Sequence, residues 1–170
     1  IPNWGDIKNI EYLEKKPSSF LDENFLDKDK FRIIYTGTLA LKHNPQIITD
    51  IAAKNKNIEV VVIGAGTGFQ KLDKMKYIPS NIKLLPLQPF EKMNHILNSA
   101  DALLAILNEE ASKFSVPSKI LNYLCAGKPI ILSAPKDNLS TKIINESKSG
   151  KSFEPKDLDG INNFLKILLS

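Results

Sequence analysis

Six short apolar runs recur along the chain, separated by stretches with the spacing of amphipathic helices. The runs are FRIIYTG (31–37), IEVVVIG (58–64), IKLLP (82–86), ALLAIL (102–107), PIILS (129–133) and KSFE (151–154). Most are hydrophobic almost throughout, as strands covered on both faces must be. The segments between them supply the covers. Asn44 and Pro45 read as the N-cap and first residue of a helix with Ile47, Ile48, Ile51 and Ala52 on one face. FEKMNHILNSA (90–100) reads as a helix turning Phe90, Met93, Ile96 and Leu97 inward. A helix over 139–149 stops at Gly150, and 157–169 forms the last one. This alternation predicts an α/β fold: a doubly wound, mainly parallel, six-stranded Rossmann-like sheet with helices on both faces.

In the commonest order for such a sheet, the first and fourth strands lie side by side at the topological switch point. Ligands then bind outside their carboxyl ends, which here means 37–44 and 108–119. The stretch SVPSKILNYLCAGKPIILS (115–133) begins in that crevice. It reads as a loop, a helix opening on Pro117, a glycine stop at Gly127 and a buried strand. Ser118 and Lys119 fall in the first turn, where free N–H groups and the helix dipole favour an anion. A lysine there opposes the dipole, and a phosphate between the two would remove the conflict. Lys42 repeats the pattern at the other helix start. Two such lysines facing one crevice point to a diphosphate. Asn122 shares a face with Ser118 at i+4.

Other motifs are weaker. VVVIGAGTGF has Gly64, Gly66 and Gly68 in G-x-G-x-G spacing, with Phe69 where a dinucleotide fingerprint needs its third glycine. No acidic residue ends the next strand, so a tight strand-to-helix turn is the better reading. His43 stays open between a ligand, a base and a structural residue, while His95 reads as structural. Two histidines and Cys125 give no metal spacing, so no metal and no cofactor are expected. Glu109 and Glu110 are adjacent and point apart, which argues against a carboxylate dyad.

The 170 residues suit one domain, and the 25% charged residues are ordinary for a globular chain. Net charge is +4 with a single arginine, Arg32. That fits acidic ligands or an anionic membrane surface and argues against nucleic acid. No apolar run reaches 18 residues. One cysteine rules out an internal disulfide and fits a reducing compartment. The start at Ile1 without methionine suggests a fragment or a processed chain. Residues 1–30 read as an interdomain linker and peripheral segment, with Trp4 in need of a neighbour, and 31–170 as the domain proper.

Taken in order, these segments resemble the C-terminal, nucleotide-sugar-binding half of GT-B glycosyltransferases of the retaining, family-four kind. IPNWGD is similar to the interdomain linker, and FRIIYTGTLALKHNP to the first strand, glycine loop and phosphate-binding lysine. IEVVVIGAG resembles the second strand and its turn. IKLLPLQPFEKMNHILNSADALLAI resembles the base-framing segment, and SVPSKILNYLCAGKPIILS the signature helix.

The resemblance implies transfer of a sugar from a UDP- or GDP-linked donor with retention, in surface polysaccharide or glycoconjugate synthesis. It puts Gly37, Thr38, Lys42, Ser118 and Lys119 at the diphosphate, Asn122 at the ribose, and backbone groups of Leu87 and Gln88 at the base. The family's two glutamates, eight apart, would fall at Phe114 and Asn122, so neither is present. Glu109 or Glu110 would be substitutes at the sugar. Thr38 stands where many members carry an arginine. The resemblance also implies a missing N-terminal acceptor-binding domain with the catalytic histidine, so that this fragment alone is inactive. A cytoplasmic site at the inner membrane face, with peripheral association, follows for the complete enzyme. A non-catalytic nucleotide-binding or regulatory domain of the same fold is the alternative, and an NAD-linked enzyme a third.

Overall fold

The computed structural model describes residues 8–170. IPNWGD and Trp4 lie outside the described residues. The elements run α1 (Ser18–Glu23), β1 (Phe31–Thr38), α2 (Gln46–Lys54), β2 (Ile58–Ala65), α3 (Thr67–Asp73), β3 (Ile82–Pro86) and α4 (Met93–Asn98). They continue with β4 (Ala102–Ile106), α5 (Ser118–Ala126), β5 (Ile130–Ser133), α6 (Leu139–Ser147), β6 (Gly150–Phe153) and α7 (Leu158–Leu169). All six strands join one parallel sheet in the order β3-β2-β1-β4-β5-β6. This is the commonest order for such a sheet, the one assumed above, with β1 and β4 as central neighbours.

Alternate strand residues feed two separate cores, one on each face. Ile34, Val61, Leu103 and Leu132 meet α1, α4, α5 and α6 on one side. Ile33, Val60, Val62, Leu104 and Ile131 meet α2, α3 and α7 on the other. Each fully buried Ile, Leu or Val contributes about 1.5–3 kcal/mol through apolar area removed from water.

Four local expectations change. Asn44 is not a helix N-cap: at φ 50° it ends a 3-10 turn, Leu41–His43, and Pro45 precedes α2. Asparagine tolerates that left-handed conformation better than most residues. Pro117 likewise stands just before α5, with an extended ψ of 145°. Phe90 is 49% exposed, because a 3-10 turn at Phe90–Lys92 shifts the helical register before α4 begins. Gly150 does not stop α6. Lys148, at φ 55°, does so, and Gly150 opens β6, where a Cβ would lie 2.0 Å from the Ile130 carbonyl oxygen.

From residue 8 on, the segment before β1 is anchored to the domain by four buried side chains. Ile10, Phe20, Leu21 and Leu26 are buried in the core on the α4–α5 side. Asn98, fully buried, accepts the Leu13 N–H at 2.8 Å and donates to the Glu11 carbonyl at 2.8 Å, fastening an extended stretch of chain to the end of α4. The lone arginine is structural as well. Arg32 is fully buried at the amino end of β1, and its Nε donates to Glu59 at 2.6 Å. Its other nitrogens reach the carbonyls of Ser99 and Asp27. Cys125 is half-buried against the core.

Candidate functional site

β1 pairs with β2 along eight positions but with β4 at only two, Ile33↔Ala102 and Ile34↔Leu103. Beyond them the strands part, since the crossovers leave on opposite faces. Tyr123 of α5 fills the split. Its hydroxyl accepts the Thr36 N–H at 3.0 Å and donates to the Leu104 carbonyl at 3.2 Å. Burial pushes this phenol up to about 12, so it stays a neutral bridge. Both backbone groups would otherwise be left without a partner inside the sheet.

Above that bridge opens a cavity of about 670 Å³. Nine of the ten residues singled out in the sequence line it: Gly37, Thr38, Lys42, Leu87, Gln88, Glu110, Ser118, Lys119 and Asn122. Glu109 lines a smaller neighbouring cavity of about 190 Å³ instead, and its carboxylate pairs with Lys156 at 3.1 Å. Glu110 borders both. Phe114 is 84% exposed and is not among the lining residues.

Lys119 is the most strongly perturbed cation in the cavity. Its chain runs from the first turn of α5 over the end of β1, with Nζ 4.0 Å from the centre of the Tyr35 ring. A Cβ on Gly37 would lie 3.3 Å from that Nζ, and Gly37 has a φ of 106°, so glycine is required twice over. Burial pulls the Lys119 ammonium down to about 8. Among the described residues it has no carboxylate partner. Tyr35 is itself fixed, donating to the Thr38 carbonyl at 2.8 Å, and burial raises its phenol. No side chain caps α5, so its first N–H groups add to the positive field above Gly37.

Lys42 is exposed in the 3-10 turn and lines the same cavity as Lys119. Beside it, His43 accepts the Ala40 N–H on Nδ1 at 3.0 Å. Burial lowers the pKa of His43, and the charges of Lys119 and Lys42 lower it further. The far wall is apolar, with Leu87, Phe90 and Met93. Gln88 there donates its amide to the Pro86 carbonyl at 2.9 Å. One cavity thus combines two cations, a helix N-terminus without a side-chain cap and a set of apolar side chains. Sequence reasoning missed Tyr35 and Tyr123, although Tyr123 sits one turn after Lys119 and Tyr35 two residues before Gly37.

The glycine turn after β2 serves packing. The Leu39 carbonyl accepts the N–H groups of Gly68 and Phe69 at 2.8 and 3.2 Å, which occupies the start of α3. A Cβ on Gly68 would meet that carbonyl oxygen at 2.8 Å. Those two N–H groups are therefore turned to Leu39 and not to a pyrophosphate. Among the described residues no cluster of three His, Cys, Asp or Glu could hold a metal ion. Nor is any described helix long and apolar enough to cross a membrane.

Residues 19–170 match the family model described as glycosyl transferases group 1. The chain is 24% identical over 138 residues to WcaI of Escherichia coli (strain K12), a protein named for a glycosyl transferase of colanic acid biosynthesis. That match takes in 78% of this chain and 34% of WcaI, so the chain spans about a third of that relative. Two solved structures share the fold. The Anabaena protein Alr3699/HepE, in complex with UDP and glucose, superposes with a TM-score of 0.78 at 13% identity, over 100% of this chain and 47% of its own. The C-terminal domain of LpcC from Francisella tularensis, a group 1 family glycosyl transferase, gives 0.69 at 17% identity, over 96% of this chain and 87% of its own. With nearly its whole length matched, the chain belongs to the glycosyl transferases group 1 family, and its fold is that of the family's C-terminal, GT-B type domain.

Proposed function

We propose that the chain is the donor-binding half of a glycosyltransferase that uses a UDP- or GDP-linked sugar and retains the anomeric configuration. One observation carries this reading: the lining of a single cavity is divided between cationic groups, Lys42, Lys119 and the uncapped start of α5, and the apolar side chains of Leu87, Phe90 and Met93. A nucleoside diphosphate has that same division, anionic at one end and flat and aromatic at the other. The diphosphate lies between the lysines, with Gly37, Thr38 and Ser118 against it. The ribose meets Asn122, and the base lies on Leu87 and Gln88. Glu110, the acidic residue lining this cavity, is the candidate for a sugar hydroxyl.

In the transfer, the bond from the anomeric carbon to the diphosphate breaks, one to the acceptor oxygen forms on the same face, the acceptor hydroxyl gives up its proton to a base, and negative charge grows on the leaving oxygen. Fixed cations and helix N–H groups that face this charge lower the barrier without having to reorganise. No metal is part of this proposal. The acceptor and the base that activates it belong to an N-terminal domain, and this half alone does not turn over. Synthesis of a surface polysaccharide or glycoconjugate at the inner membrane face is the proposed setting, in keeping with the naming of WcaI.

Phe114 and Asn122, in place of the two glutamates expected from the resemblance, favour a second reading as a non-catalytic nucleotide-binding domain. Joining the chain to an upstream acceptor-binding half and assaying release of UDP or GDP from nucleotide sugars separates the two. Turnover supports the enzyme. Tight nucleotide binding with no turnover supports the regulatory reading.

A further inference from the structure

The residues alone left His43 open, and its surroundings narrow the choice. Its Nδ1 accepts the Ala40 N–H, closing the 3-10 turn. A ring nitrogen that accepts carries no proton, so the neutral imidazole has its proton on Nε2. The ring is half-buried and lines the same cavity as Lys42 and Lys119. The charged groups around it are Lys42 on its own turn, Lys119 from α5, and Glu109 and Glu110 after β4, with Glu109 engaged by Lys156. Burial and the two lysines hold the imidazole below its ordinary value, which favours its neutral form. A third cation here would be repelled by both lysines. A neutral N–H with a fixed tautomer would not be, and it still bonds to an anionic oxygen.

We propose that His43 donates its Nε2–H to an oxygen of the bound diphosphate, as a third donor beside Lys42 and Lys119. This rests on the reading of the cavity as a nucleoside diphosphate site. As charge gathers on the departing diphosphate, the bond strengthens.

The two ring nitrogens can be tested separately. In His43→Asn the amide oxygen replaces the Nδ1 acceptor and preserves the turn, but no donor reaches the Nε2 position. In His43→Gln the amide N–H extends toward the Nε2 position while the contact with Ala40 is lost. Both variants of the 170-residue chain are titrated with UDP and GDP by calorimetry, and their thermal unfolding is compared. His43→Asn is expected to bind the preferred nucleotide about tenfold more weakly with unfolding unchanged, and His43→Gln to stay within about twofold of wild type. Equal weakening in both variants, or weakening in His43→Gln alone, overturns the proposal; the second pattern reduces His43 to a turn-closing residue. If wild type binds neither UDP nor GDP, the diphosphate reading itself fails and takes the proposal with it.

Discussion

Lys119 and Arg32 show how differently two buried cations are used. Arg32 is paired, hydrogen-bonded and sealed at the amino end of the sheet. Lys119 lies at the carboxyl end, over an aromatic face, with its charge desolvated and paired with no carboxylate among the described residues. An arriving anion relieves that cost. Lys119→Ala should therefore weaken UDP or GDP binding by about 1.5–3 kcal/mol, roughly tenfold or more, measured by calorimetry. Equal affinity in the variant would remove Lys119 from the site. The same residue sets a pH dependence. Its folded value of about 8 lies below the ordinary 10.5, so on raising the pH the native state loses this proton before the unfolded chain does. The desolvation penalty is full below pH 8 and is relieved as pH rises from 8 toward 10.5, so stability gains in that window. Nucleotide affinity moves the opposite way and falls above pH 8, because the neutral amine no longer attracts the diphosphate. Lys119→Met should flatten both trends in denaturation and titration series.

At the scale of elements, α5 is the part on which the site depends. Ser118 and Lys119 stand at its open start, Asn122 on its cavity face, and Tyr123 locks it between β1 and β4. Tyr123→Phe leaves the Thr36 N–H and the Leu104 carbonyl short of a partner in a dry interior. It should cost about 1–3 kcal/mol in chemical denaturation. For a chain of this size, each kcal/mol lowers Tm by about 2–4 °C. A stability equal to wild type would show that the split between the strands is closed by other means.

Much of this element was legible from its residues. Proline before it, glycine after it and a lysine against the dipole marked the bounds of a helix with an unusual charge at its start. The Tyr123 bridge was not legible, because a tyrosine on an apolar helix face reads as core until the strand order puts a gap beneath it. Asn44 and Gly150 misled for a related reason. Both are turn-formers by local preference, but Asn44 closes a 3-10 turn and Gly150 is dictated by how closely β5 passes. Local sequence carries no record of a backbone that far along the chain.

The whole molecule divides its tasks between the two ends of one sheet. The amino ends hold the Arg32–Glu59 pair and the Asn98 clamp that fastens the leading segment. The carboxyl ends of β1 and β4 hold the cavity. The alternation of apolar runs gave the fold class, and the strand order was the commonest of the few topologies that parallel α/β sheets admit. The glycines after β2, which invited a dinucleotide reading, are consumed by contact with Leu39 and Ala40. The central claim is thus that this cavity takes a nucleoside diphosphate and that the turn after β2 takes no nucleotide. Calorimetric titration of the chain with UDP, GDP and NAD tests it directly. Saturable binding of UDP or GDP, weakened roughly tenfold or more in Lys119→Ala and much tighter than any binding of NAD, is the expected result; NAD preferred over both diphosphates would contradict the account.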